Sequence, residues 1–357
     1  MKKTIAVLLS ILVVFAFAGC GGPVEEQPEE QIDYEIALVT DSGLIMDGGY
    51  SEVAWNAITD FCSSAGVSHK YYKAAEASEK AYEETIENAV SCGAKVIIAD
   101  GYSFEDVVYN SQKEYKDVDF ILIDAEPVDE KSGETRIAGN TAVIHFASEQ
   151  AGYLAGYAAV AEGASEIGFI GGARQPAIMD YGYGYLQGAD AAAAELGEAV
   201  NVKYYYCTGE DERETIVKKA TEWYKDNTEI IFACGSSVEQ PVIEAAELTE
   251  GAVIACETDK SEMSDTVLTS AVKDISSALE EVLKQYKDDE FPGGTIIENN
   301  AENEGIGLEI KNSRLQNFSK SQYNSVFDKL ASGDVAVKKS GVSLESLGLT
   351  NVEVIDK

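Results

Sequence analysis

Carboxylates and aromatic rings follow one apolar run after another in this chain. Asp41 comes after Glu35–Thr40, and Asp100-Gly101-Tyr102-Ser103-Phe104 after Val96–Ala99. Asp124 follows Asp119–Ile123, Cys234-Gly235-Ser236 follow Glu229–Ala233, and Glu257 follows Ala252–Cys256. Carboxylates accept hydrogen bonds from hydroxyls, and rings stack on the flat face of a base or a sugar. A polyphosphate site needs glycine-rich backbone together with Lys or Arg, and neither GxxxxGK[ST] nor a GxGxxG after a strand occurs. These residue types suit a neutral polyol or a nucleoside. His69 and His145 are the only histidines, so a His/Cys metal site or a His-based triad has little to build from. Paired acids such as Asp41 and Asp124 permit glycoside-type hydrolysis, but nothing sets a nucleophile or a poised histidine beside them. The reading is a binding protein without catalysis, cofactor or metal.

The elements that must position these residues alternate. Further strand-like runs are Glu166–Ile170, Val202–Tyr206, Thr266–Ser270 and Thr295–Glu298. Several are apolar on both faces, as buried parallel strands are. Between the runs lie amphipathic segments of helical length, such as Ser51–Ser64 with Val53, Ala54, Ala57, Ile58 and Phe61 at helical spacing, and Ala147–Ala161. Alternating β and α predicts an α/β fold with parallel sheets. In such sheets ligands bind beyond the carboxyl ends of the strands, where the acids and rings stand. The folded part, from near Tyr34, is about 320 residues long, which suggests two domains.

The N-terminus carries an address. Lys2 and Lys3 precede an apolar run from Ile5 to Phe17, broken only by Ser10. That run is short for a membrane span and reads as a secretory signal. Ala18-Gly19-Cys20 resembles a bacterial lipobox, which makes Cys20 the expected lipidation site and predicts a stable anchor on the extracytoplasmic face of the cell membrane. Residues 21–33, rich in Gly, Pro and acids, read as a flexible tether. The formal net charge of −36 argues against nucleic acid as a partner and against adsorption to anionic lipid heads. Cys62, Cys92, Cys207, Cys234 and Cys256 are odd in number and lack a CxxC, which does not read as a disulfide framework; a single pair stays open.

In order along the chain stand "ALVTDSGLIMDGGYSEVAW", "FILIDAE", "ASEQAGYLAGYAA", "IGFIGG", "YGYLQGAD", "VLTSAVKD" and "FPGGT". Together with the lipobox they resemble the basic membrane protein family of bacterial lipoproteins, over about Glu35 to Leu308. That resemblance implies a type I periplasmic-binding-protein fold with a three-crossover hinge. It also implies an ABC-importer component whose partners are a permease, an ATPase and a small solute, most often a nucleoside. A sensory receptor of the same fold, or a binder of a sugar or other solute, is the alternative. The implied lobes are 34–126 plus 273–300, and 127–272 plus 301–357.

The implied ligand residues are Asp41, Asp47, Tyr50, Ser51, Asp124, Tyr181, Glu257 and Lys273, to which the strand-end reading adds Gly235 as a backbone contact. Asp41 and Asp47 are acceptors for the ligand or braces for their loop and helix. Tyr50 stands where the family usually has Phe, as a stacking ring; Ser51 replaces a usual Asn and also fits a helix N-cap. Tyr181 is the preferred opposite wall of the base sandwich, with Tyr183 the alternative. Glu257, for a usual Asp, and Lys273 would hold ribose hydroxyls, or else form a hinge salt bridge.

Overall fold

The computed structural model describes residues 33–355 apart from 44, 46–48 and 209–210. The signal segment, Cys20, most of the tether and Asp47 therefore lie outside the described residues. The element order is β1 (Ile36–Thr40), α1 (Tyr50–Ala65), β2 (His69–Lys73), α2 (Glu79–Ser91), β3 (Val96–Asp100), α3 (Glu105–Glu114), β4 (Asp119–Ile123), β5 (Thr141–Phe146), α4 (Ser148–Ala161), β6 (Glu166–Gly171), α5 (Pro176–Leu196) and β7 (Val200–Tyr206). It continues with α6 (Arg213–Lys225), β8 (Ile230–Cys234), α7 (Ser236–Thr249), β9 (Ala252–Glu257), β10 (Val267–Lys273), α8 (Ile275–Lys287), β11 (Thr295–Asn299), β12 (Ile306–Leu308), α9 (Lys320–Ala331) and β13 (Val352–Ile355).

The strands form two sheets, as the α/β pattern predicts. One has the order β11-β5-β4-β3-β1-β2 and is parallel throughout. The other has the order β12-β10-β9-β8-β6-β7-β13, with only β12 antiparallel. Central strands such as β1 and β8 are buried at every position, because helices cover both faces of each sheet. Asp33–Lys357 is one compact unit.

Sheet membership moves one expected boundary. Residues 127–146, assigned by the sequence reading to the second lobe, end in β5, which lies between β4 and β11 of the first sheet. The first crossover therefore follows Phe146 rather than residue 126. The other two run from β10 into α8 and from β11 into β12. Main-chain bonds tie the crossings together: Ala147 N–H donates to the Asn299 carbonyl at 2.8 Å, and Asp274 N–H to the Gly305 carbonyl at 2.9 Å.

The motifs "AGYLAGYAA" and "YGYLQGAD" have a packing role. A Cβ on Gly152 or Gly156 of α4 would stand 2.1 or 2.0 Å from the carbonyl oxygens of Tyr181 and Tyr185. One on Gly184 or Gly188 of α5 would stand 1.9 Å from those of Glu149 and Tyr153. The two helices thus touch backbone to backbone along a four-glycine seam, the close approach that small residues at four-residue spacing allow. This seam turns Tyr181 and Tyr185 into the second lobe's core, against Phe232. Pro176 at the first turn and Gly197, at φ 72° in the left-handed region, bound α5.

Candidate functional site

The carboxyl ends of both sheets face a cavity of about 240 Å³, just below the usual range of ligand pockets and suited to a compact solute. From the first sheet's side come Asp41, Tyr50, Ser51, Asp100, Tyr102 and Asp124; from the second come Gln175, Ala177, Ile178, Ser236 and Glu257. The walls meet directly, since the Ala177 N–H donates to the Tyr102 hydroxyl oxygen at 2.8 Å.

The cavity's most buried corner is a charged cluster. Lys273, at the end of β10 and 5% exposed, donates to Asp124 Oδ2 at 2.6 Å, and its Nζ lies 3.5 Å from Glu257 Oε1. Burial alone pushes the Lys273 ammonium toward neutrality, but Asp124, Tyr181 and Glu257 outweigh it and hold the group protonated. Tyr50 donates its hydroxyl to the same Asp124 oxygen at 3.3 Å. Burial, then the charge of Asp124, raises the Tyr50 phenol well above its ordinary range, so it remains an O–H donor. Asp124 Oδ1 is buried without a hydrogen-bond partner. Asp124 (φ 57°) and Glu257 (φ 64°) both hold left-handed backbone. Strain of this kind in non-glycine residues clusters at binding sites.

A second feature faces the Lys273 corner. Ser51 does not cap α1, whose N-cap is Gly49; its hydroxyl instead donates to Asp100 Oδ2 in a short bond. Burial raises the Asp100 carboxyl to about 7; the Ser51 bond pulls it down, while Glu257, Asp41 and Asp124 push it up. Asp41 Oδ1 accepts the Gly43 N–H at 2.7 Å, the loop brace foreseen as one of its two roles, while its side also lines the cavity.

The structure thus brings Asp41, Tyr50, Ser51, Asp124 and Glu257 to the cavity wall and sets Lys273 directly behind it. Tyr181 is elsewhere: it is fully buried, its hydroxyl 3.5 Å from the Ala271 carbonyl oxygen and its ring centroid 5.1 Å from Lys273 Nζ. It props the lysine rather than facing the cavity, because the glycine seam turns this face of α5 inward. Gly235, at φ 113°, also stands back from the wall, with its N–H on Cys256 Sγ, and Ser236 takes its place. Asp100, Tyr102 and Ser103 also line the cavity from a strand end that the sequence displays, outside the expected ligand residues, and no sequence signal points to Gln175, Ala177 or Ile178. Among the described residues no group of three or more His, Cys, Asp or Glu is arranged to hold a metal, and Cys62, Cys92, Cys207, Cys234 and Cys256 are free thiols. No helix among the described residues is long and apolar enough to cross a membrane.

Comparison with known proteins places this geometry. The model of the family Bmp, described as PnrA-like ABC transporter substrate-binding proteins, matches residues 35–340. The chain belongs to the Bmp family. One curated relative is the ABC transporter nucleoside-binding protein BmpA of Lactococcus lactis, 24% identical over 338 residues, covering 87% of this chain and 92% of the relative. Another is basic membrane protein A1 of Borrelia garinii, 26% identical over 350 residues, covering 96% of this chain and 98% of that protein. Among solved structures, an ABC transporter solute-binding protein of Aeropyrum pernix K1 aligns with TM-score 0.74 at 15% identity, over 88% of this chain and 98% of that one. One from Conexibacter woesei aligns with TM-score 0.68 at 18% identity, over 85% and 99%. These neighbours share the two-lobed solute-binding fold. As a Bmp-family protein the chain is an extracytoplasmic substrate-binding component of an ABC transporter, with a small-molecule ligand and transporter subunits as partners.

Proposed function

We propose that this Bmp-family protein is the lipid-anchored receptor of an ABC importer for nucleosides, and that it performs no chemistry on them. Asp41, Tyr50, Ser51, Asp124, Glu257 and Lys273 form its ligand site, and Asp47, three residues before Tyr50 in the sequence, joins them. Tyr181 and Gly235 support that site from behind it.

The observation that carries this reading is the Asp124–Lys273–Glu257 cluster. A ribose diol offers two hydroxyls, each able to donate and to accept. The cluster sets one cationic donor between two carboxylates, and the free Oδ1 of Asp124 supplies a further buried acceptor. The Tyr50 ring stands next to this corner, with Lys273 Nζ 5.7 Å from its centroid, where a base joined to the ribose would reach it. The relative BmpA of Lactococcus lactis is named for nucleoside binding, which agrees with this chemistry. Cys20 would carry the anchor, and residues 21–33 would let the binding unit reach the permease.

A thermal-shift panel tests the reading. A ligand at one hundred times its Kd stabilises the folded state by about 2.7 kcal/mol. For a chain of this size that is a rise of several degrees in Tm. At least one nucleoside should give that rise. A panel in which pentoses or other polar solutes stabilise the protein and no nucleoside does would refute the assignment.

A further inference from the structure

Asp41, Asp100 and Asp124 stand at the carboxyl ends of β1, β3 and β4, which are consecutive in the first sheet. Asp100 is in register with Ile123, and Ala99 with Val39, so Asp124 and Asp41 each lie just beyond its level. Adjacent strands are about 4.8 Å apart. The three acids therefore form a row about 10 Å long on one wall of the cavity.

The two ends of that row differ. At the Asp124 end, Lys273 stands directly behind the wall as a cation against Asp124, which lines the cavity, is 6% exposed and has one buried oxygen without a hydrogen-bond partner. At the Asp100–Asp41 end the wall holds no Lys, Arg or His among the described residues. Among the described residues, Ser51 is Asp100's one hydrogen-bond partner and occupies only Oδ2. Gly43 occupies one oxygen of Asp41. A ligand lying along the row meets a carboxylate neutralised by a cation at one end and carboxylates with no cation beside them at the other.

We infer that Asp100 is a specificity-determining residue, selecting nucleosides whose base presents two adjacent N–H donors over those that present an acceptor or a bare C–H there. This rests on the nucleoside reading above. A carboxylate accepts through both oxygens and spans a pair of parallel N–H groups, as it does with a guanidinium. A base acceptor placed against it is repelled and left unpaired in a buried site, and a base that lacks the second donor forfeits one charge-assisted bond. Ser51 fixes the carboxylate through one lone pair of Oδ2 and leaves the second lone pair of Oδ2 and the whole of Oδ1 for the base, so the pair acts as a single reading head.

Isothermal titration at pH 8, where Asp100 is ionised, tests this with guanosine, inosine and adenosine. Guanosine carries adjacent N1–H and 2-amino donors; inosine lacks the amino group; adenosine presents a ring acceptor beside its amino group. The wild-type protein is expected to bind guanosine at least about 10-fold more tightly than inosine or adenosine. Asp100→Asn, which sets an amide donor against the base, should weaken guanosine about 10-fold or more and bring the guanosine-to-inosine ratio near one. Equal binding of guanosine and inosine by the wild type, or an equal loss for both in Asp100→Asn, would overturn the inference alone. Failure of every nucleoside to bind the wild type would overturn the nucleoside reading and this inference with it. Should Asp100→Asn not fold, Asp100→Ser and the wild-type ratio decide.

Discussion

Replacing Lys273 by Met isolates the charged corner from the rest of the site. Met keeps most of the lysine's aliphatic volume, so packing against Tyr181 and Phe146 changes little. What disappears is the cation 2.6 Å from Asp124 and 3.5 Å from Glu257. Glu257, with 21% of its side chain exposed, can turn to water. Asp124 cannot: it is 6% exposed, one oxygen has no partner, and the other keeps only Tyr50 at 3.3 Å. Removing one member of a buried ion pair costs about 3–5 kcal/mol, most of it the penalty of the orphaned charge. Lys273→Met should therefore lower the unfolding free energy by about that amount at pH 7, read from urea midpoints at constant slope. Adding Asp124→Asn removes the orphaned charge and should recover about 2 kcal/mol or more. The double-variant cycle then reports a coupling well above the about 0.5 kcal/mol scatter of independent sites. A loss below about 1 kcal/mol, the level of an exposed pair, with no recovery in the double variant, would refute the view that Lys273 and Asp124 act as one desolvated unit.

Three other outcomes are expected. Gly184→Ala should destabilise by about 3 kcal/mol, the upper end for overpacking, because the added Cβ meets backbone rather than a movable side chain. Gly341→Ala, which meets nothing within 4 Å, should stay within about 0.5 kcal/mol, and thermal unfolding compares the two. Burial raises Asp100, Glu149 and Glu239 each to about 7, so the folded state keeps protons that the unfolded chain releases near 4. That contribution is complete below about 4 and is lost as pH climbs through about 7, so Tm should fall between pH 5 and pH 8. A Tm that rises over this interval would contradict it. Tyr50→Ala should weaken ligand binding by about 1–3 kcal/mol, the worth of a stacked ring. Tyr50→Phe, which loses only the long bond to Asp124, should bind nearly as the wild type does; equal losses in the two would argue against stacking.

The apolar runs made the sheets readable from sequence, because strands buried on both faces leave continuous Val, Ile and Ala tracts. Four strands, β2, β5 and the short β12 and β13, have no run among those read from the sequence, and the first two were missed for opposite reasons. β2, "HKYYK", is an edge strand with mostly solvated side chains and carries no apolar signal. β5, "TAVIHF", is apolar but passes through Ala147 straight into α4, so its pattern merges with the helix and the crossover was placed too early. The rule that ligands gather at strand ends singled out Asp41, Asp124 and Glu257 and displayed Asp100, Tyr102 and Ser236 only as strand-end neighbours, and spacing alone reached no further. Tyr181 misled because its inward aim depends on contacts between α4 and α5, which one helix's sequence does not display. Gln175, Ala177 and Ile178 escaped because they enter from the start of α5, several residues beyond the end of β6. Ser51 looked like a cap because its partner Asp100 is 49 residues away.

The claim that this cavity holds a nucleoside by its ribose and base together is tested most directly by calorimetric titration of the purified protein with nucleosides, the matching free bases and ribose. One-to-one binding of a nucleoside with Kd near 1 µM, about −8 kcal/mol, is expected, with base and ribose each weaker by about 100-fold or more. Saturation by ribose or another sugar at that affinity, with no nucleoside binding up to about 1 mM, would contradict the account.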